Sequence, residues 1–256
     1  MSADGTVRVE HRGTVAVVTI DEPERRNALT PATVAGLVAA FDRLEADGTT
    51  AVVLTGAGPA FCAGADVAAL ERLARAADET ERRGVAAIYE GFLRVLHSPL
   101  PTVAAVNGPA VGAGLNLALA CDVRVAAESA RFDTRFLRIG LHPGGGNTWL
   151  LERAVGPQAA AAMLLLGQRI DGARAVEIGL AWTVVPDTEV VAAAVTLAAG
   201  TEGVPVELIT RTKATLRAAP WQPDFAAAVE HELDVQAWSL GQGWFPPGRR
   251  ADQRPR

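Results

Sequence analysis

The chain has two cysteines, Cys62 and Cys121, in 256 residues, too few for a disulfide framework. Its four histidines, His11, His97, His142 and His231, lack metal-ligand spacing, so no metal is expected. Lysine is nearly absent: Lys213 stands alone among 24 basic residues. The formal net charge of −5 gives no broad basic face, which argues against a nucleic-acid partner. The apolar run 159–166 stops far short of the roughly 20 residues that cross a bilayer, so no membrane span is expected. The first residues have no basic stretch leading into an apolar one, and the expected location is cytoplasmic. GxGxxG and GxxxxGK[ST] are both missing, as is GxSxG, so neither a phosphate cradle nor a hydrolase elbow is supported.

What the chain does have is apolar bulk. Hydrophobic residues make up 49% and charged residues 21%, the balance of a folded globular protein and not of a disordered one. Residues 14–20 (TVAVVTI), 51–55 (AVVLT), 102–106 (TVAAV) and 123–126 read as buried strands. Between them lie helical patterns. Thr30 is a good N-cap with Pro31 at the first helical position. A charged helical stretch runs over 67–97, and 115–120 is apolar and helical. Gly156-Pro157 starts a helix, Asp171 caps another that Gly179 ends, and 204–218 and 223–240 give two more. The fold class expected is α/β, with a core over 1–190 and a helical region over 191–256.

Three loops rich in small residues follow strands, at 56–66, 107–114 and 140–148. Small side chains let a ligand approach the backbone and leave N–H groups available. Two of these loops, CAGAD (62–66) and GPAVGAG (108–114), each open a helix, and N–H groups from two such starts aimed at one point stabilise an oxyanion. From spacing alone, tight turns that merely pack helices on strands explain them as well.

Five ordered motifs carry a resemblance: PERRNAL (23–29), VVLTGAGPAFCAGAD (52–66), PTVAAVNGPAVGAGLNLALACDVRVA (101–126), GLHPGGG (140–146) and IDGARAVEIGLAWTVVP (170–186). Together they make the chain resemble the enoyl-CoA hydratase/isomerase family, the crotonase superfamily, over about residues 7–218. The resemblance implies a right-handed spiral of β-β-α turns. It also implies C-terminal helices used to form a homotrimer or a dimer of trimers. It implies an acyl-CoA thioester as substrate or ligand, with no further cofactor. The oxyanion hole it implies is the backbone N–H of Ala65 and of Ala113. Arg25, Ala28, Leu29, Ala63, Asp66 and Val67 match the stretches that cup CoA, and Lys213 matches a phosphate-contacting position.

The resemblance also marks two departures. A hydratase of this family uses two glutamates, and at those positions this chain has Asn116 and Phe136. Asparagine does not act as a base near neutral pH, and phenylalanine brings only apolar bulk. Relatives that carry an aspartate in the GLHPGGG segment are not matched either, since Pro143 and Gly144 stand there. His142 is the best substitute acid/base, because it sits in a loop that borders the pocket of relatives and an imidazole can both take up and give a proton. Tyr89 reads as a core or rim residue, Asp133 as the partner of Arg135 or Arg138, and both cysteines as inert small hydrophobes. Three readings stay open: an acyl-CoA enzyme, a non-catalytic long-chain acyl-CoA carrier or sensor, and a different acyl-CoA reaction run by His142.

Overall fold

A computed structural model of the chain describes residues 5–66, 70–71 and 79–245. Val67 and the Pro246-Pro247 tail lie outside the described residues, as does part of the polar stretch 75–84. The chain divides into two compact units, Met1–Glu202 and Gly203–Arg256.

The first unit is built on a six-stranded sheet: β1 (Val7–Arg12), β2 (Val15–Ile20), β3 (Ala51–Gly56), β4 (Thr102–Val106), β6 (Val123–Ala127) and β9 (Thr183–Val185), adjacent in that order. Only β1 and β2 pair antiparallel; the rest are parallel. Every residue of β3 and β4 is buried, as expected of a parallel sheet covered on both faces. A second sheet of three short strands, β5 (Pro109–Val111), β7 (Arg131–Asp133) and β8 (Ile170–Asp171), lies in the order β5-β7-β8. The pairs β4–β5 and β6–β7 each give one strand to each sheet before a helix follows, which is the repeating β-β-α turn that the resemblance implies.

The helices of this unit are α1 (Pro31–Leu44), α2 (Glu79–Leu96), α3 (Ala113–Ala120), α4 (Asn147–Leu164), α5 (Gly172–Glu177) and α6 (Val190–Ala198). Thr30 caps α1, its hydroxyl accepting from the N–H of Thr33, with Pro31 opening the first turn. Asp171 caps α5 in the same way, accepting from the N–H of Arg174. Within α4 the backbone breaks at Gly156 (φ 75°, ψ 169°), and Pro157 starts the second segment where the sequence places it. All of α3 is buried. An apolar helix with no polar face belongs in the interior.

The first unit runs past the boundary expected at 190. Helix α6 buries Val190, Ala194 and Ala198 and packs on β3, β4 and β6, so it belongs to the sheet. The second unit holds α7 (Val206–Ala218) and α8 (Phe225–Leu240), which pack on each other. Arg211 lies over the Trp238 ring, 3.9 Å from its centroid, and Trp244 meets the same ring edge-on at 5.4 Å. No single described helix is long and apolar enough to cross a membrane.

Candidate active site

The site begins where β3 and β4 end. Parallel neighbours deliver the loops after their carboxyl ends to one edge of the sheet, so residues 57–66 and 107–112 meet. Asn107 ties them together. Its Nδ2 donates to the carbonyls of Gly56 and Gly58, both at 2.9 Å, and its Oδ1 accepts from the N–H of Gly56 at 3.2 Å. The crossing continues as short parallel bridges, Cys62 with Ala110 and Leu29 with Ala65. Leu29 N–H donates to Gly64 O at 2.8 Å, and Val111 N–H to Cys62 O at 3.0 Å. The stretch around Ala65 is therefore stitched on one side to residues 26–29 and on the other to β5.

This stitching forces backbone against backbone. A Cβ built on Gly64, whose φ is +91°, would fall 2.5 Å from Val111 O and 3.2 Å from Ala113 N. One on Gly114 would overlap the carbonyl of Cys62. Only glycine permits either approach, and together they bring Ala65 and Ala113 to the wall of one cavity. The N–H of neither residue has an acceptor among the described residues. Ala113 opens α3 behind Gly112, which offers no side-chain cap, so its N–H is one of the unsatisfied donors at the positive end of the helix.

The cavity has a volume of about 280 Å³. Its lining comes from three stretches of chain: the loops that carry Ala63, Ala65 and Ala113, helix α2 with Val85, Ile88 and Tyr89, and the segment with Phe136, Ile139, Leu141 and His142. The lining is mostly apolar, with few polar groups, as ligand sites are.

Asn116 and Phe136, the positions at which the resemblance implies glutamates, both line this cavity, and their side chains do different work. Asn116 is buried; its Nδ2 donates to Gly144 O at 2.9 Å and its Oδ1 accepts from Nδ2 of Asn147. It pins the glycine-rich loop to α3. Asn147 is itself buried, and its Oδ1 has no partner among the described residues. Phe136 is half-buried in a short 3-10 turn entered through Arg135, which is held at φ 57°. Asp133 fixes that entry. Its carboxylate accepts from the Arg135 N–H at 2.9 Å and meets the guanidinium groups of Arg135, Arg138 and Arg169 at 3.5, 3.3 and 3.1 Å. The expected pair is thus a cluster with a third arginine.

His142 is exposed, and its Nδ1 lies 2.7 Å from the carbonyl of Pro143. A carbonyl only accepts, so Nδ1 is the protonated nitrogen and the lone pair of the neutral ring sits on Nε2.

Among the residues matched to CoA, Arg25 pairs with Asp66, while Ala28 and Leu29 are buried. Lys213 lies on α7 in the second unit and is 6% exposed. Burial pushes the Cys62 thiol up to about 12, and Cys121 is also buried. The folded protein is therefore expected to leave both thiols unlabelled by Ellman's reagent at pH 8 and to release two on unfolding. Fast labelling of either one before unfolding would contradict this. Among the described residues no three His, Cys, Asp or Glu side chains gather as metal ligands would.

Reading the sequence did not single out Asn27. It is fully buried at φ 58°; its Nδ2 donates to Ala57 O at 2.8 Å and Ala60 O at 2.7 Å, and its Oδ1 accepts from the N–H of Glu22 at 3.0 Å. The available signal was an asparagine at a turn before an apolar pair, since asparagine tolerates the left-handed region.

The sequence profile of the enoyl-CoA hydratase/isomerase family matches residues 10–237. The chain belongs to that family. A Mycobacterium tuberculosis protein named as a probable enoyl-CoA hydratase is 52% identical over 220 residues, covering 86% of this chain and 84% of its own. The crystal structure of an enoyl-CoA hydratase from Polaromonas sp. JS666 superposes with a TM-score of 0.87 at 30% identity, covering 93% of each chain. A Thermobifida fusca YX protein solved in complex with acetoacetyl-CoA gives 0.82 at 31% identity, covering 93% of this chain and 96% of that one. The α/β architecture with its mixed sheets is the crotonase fold of these neighbours.

Proposed function

We propose that this protein acts on an acyl-CoA thioester, holding the carbonyl between the backbone N–H groups of Ala65 and Ala113 as it gains enolate character. It does so without the family's two carboxylates. The observation that carries the reading is the pair of unengaged N–H groups on the wall of an apolar cavity. Acyl-CoA as the ligand class is supported by family membership and by the acetoacetyl-CoA held in the Thermobifida fusca relative. Arg25, Ala28, Leu29, Ala63, Asp66 and Val67 are assigned to the CoA moiety, with Lys213 as a phosphate contact. The Arg25–Asp66 pair and the burial of Lys213 mean that either cation reaches a phosphate only by giving up its present setting.

With Asn116 engaged by Gly144 and Asn147 and with Phe136 apolar, the acid/base role passes to Nε2 of His142. A second reading, a carrier that holds acyl-CoA unchanged, is favoured by the same two side chains, since neither titrates. We further assign the protein a homotrimer or dimer of trimers, supported by the apolar row Phe225, Val229 and Leu233, which α8 leaves exposed.

The deciding assay supplies crotonyl-CoA and a longer enoyl-CoA and follows loss of the conjugated double bond. Hydration is expected to run well below about 1 s⁻¹, the low end of ordinary enzyme turnover, while both ligands bind. Turnover at or above that rate would show a competent substitute for the missing glutamates and refute this reading of Asn116 and Phe136. Slow turnover that His142→Gln removes supports the enzyme, and binding with no conversion of any acyl-CoA supports the carrier.

A further inference from the structure

We propose that Tyr89 reads an oxygen on the acyl group, so that the ligand of this cavity carries a hydroxyl or carbonyl close to its thioester. The inference rests on the acyl-CoA reading of the cavity given above.

The side-chain polar groups on the cavity wall are few, and most are spent. Asn116 is bonded to Gly144 and Asn147. Thr134 donates to Met163 O at 2.9 Å. Arg135 is drawn to Asp133, and His142 has Nδ1 on the Pro143 carbonyl. The hydroxyl of Tyr89 has no hydrogen-bond partner among the described residues, although the residue is half-buried and lines the cavity beside Val85 and Ile88. A phenol on an apolar wall loses its water when an acyl chain fills the cavity, and a ligand oxygen placed there restores the hydrogen bond that water gave.

The surroundings hold the hydroxyl in place. Tyr89 and Phe92 stand three residues apart on α2, on one face, with ring centroids 5.5 Å apart. The glycine-rich loop leaves room for both rings. A Cβ on Gly144 would overlap the Tyr89 hydroxyl, and one on Gly145 would overlap Phe92. The same Gly144 accepts the hydrogen bond of Asn116, and Asn116 lies one helical turn after Ala113. The phenol therefore lines the same cavity as Ala113 and is linked to it through Asn116 and Gly144. An acyl chain anchored by its carbonyl at Ala65 and Ala113 passes within reach of it in its first few carbons. A phenol both donates and accepts, so it serves a hydroxyl or a keto oxygen equally.

The test compares butyryl-CoA, 3-hydroxybutyryl-CoA and acetoacetyl-CoA by calorimetric titration of the full chain and of Tyr89→Phe. This variant removes one oxygen and keeps the ring, and circular dichroism checks its fold. The wild type is expected to bind at least one of the two oxygenated ligands about tenfold more tightly than butyryl-CoA, the factor one hydrogen bond supplies. Tyr89→Phe is expected to erase that preference and keep butyryl-CoA affinity within about twofold. The proposal is overturned if the wild type shows no preference, if the preference survives in Tyr89→Phe, or if the variant weakens all three ligands alike. If butyryl-CoA and both oxygenated ligands fail to bind the wild type, the acyl-CoA reading itself falls, and this inference with it.

Discussion

Ala113→Pro is expected to abolish most of whatever this protein does with a thioester, lowering any turnover by about 10² to 10³. The substitution removes one N–H and puts a ring carbon in its place, while the helix keeps its start. Ala113 is the first residue of α3, the helical position where proline is welcome because its missing N–H has no intrahelical partner. The preceding Gly112, at φ 54° and ψ −117°, lies outside the α region that a following proline disfavours. The helix should form as before, with the pyrrolidine ring where the donor stood. Turnover of the best acyl-CoA substrate reads the effect, or, for a carrier, affinity for butyryl-CoA, which should fall at least tenfold. Circular dichroism should be unchanged. A proline variant as active and as tightly binding as the wild type would show that this N–H does not hold the carbonyl.

Asn27→Ala is expected to destabilise the first unit by about 3 kcal/mol or more, because two carbonyls and one N–H lose their buried partner at once. The residue also sits at φ 58°, where alanine is strained and asparagine tolerated. In urea the midpoint should drop by about 1 M, given a slope of roughly 3 kcal/mol/M for a domain of this size. The carbonyl of the neighbouring Arg26 accepts from Ala63 N–H at 2.9 Å, so acyl-CoA affinity should fall in the folded variant as well. An unchanged midpoint would mean that the loops hold together without this side chain.

These two residues mark the limits of what the sequence discloses. The strand at Thr102–Val106 and the caps at Thr30 and Asp171 lie where local patterns put them. The strands β5, β7 and β8 were not legible, because each is two or three residues long and exists only through pairing with distant chain. Helix α6 carries an apolar pattern but no sign that its face belongs to the sheet, which is why the compact unit ends later than expected. At the site, the loops that hold Gly64 and Gly114 were legible as small-residue loops open to a ligand, but not as places where one backbone presses on another. Asn27, Asn107 and Asn147 were not, since each acts through partners far along the chain. Tyr89 was visible as a helical residue, but which wall it faces depends on a glycine 55 positions later.

The two donors assigned to the thioester belong to the main chain, and this bears on how such a protein tolerates mutation. Every residue except proline carries an N–H. Most single substitutions at Ala65 or Ala113 therefore leave the donor in place and change only what stands beside it. The groups that move protons are side chains, and one substitution erases any of them. A lineage built on this frame loses its acid and base easily and its grip on the carbonyl only with difficulty, so reactions turn over faster than ligands do.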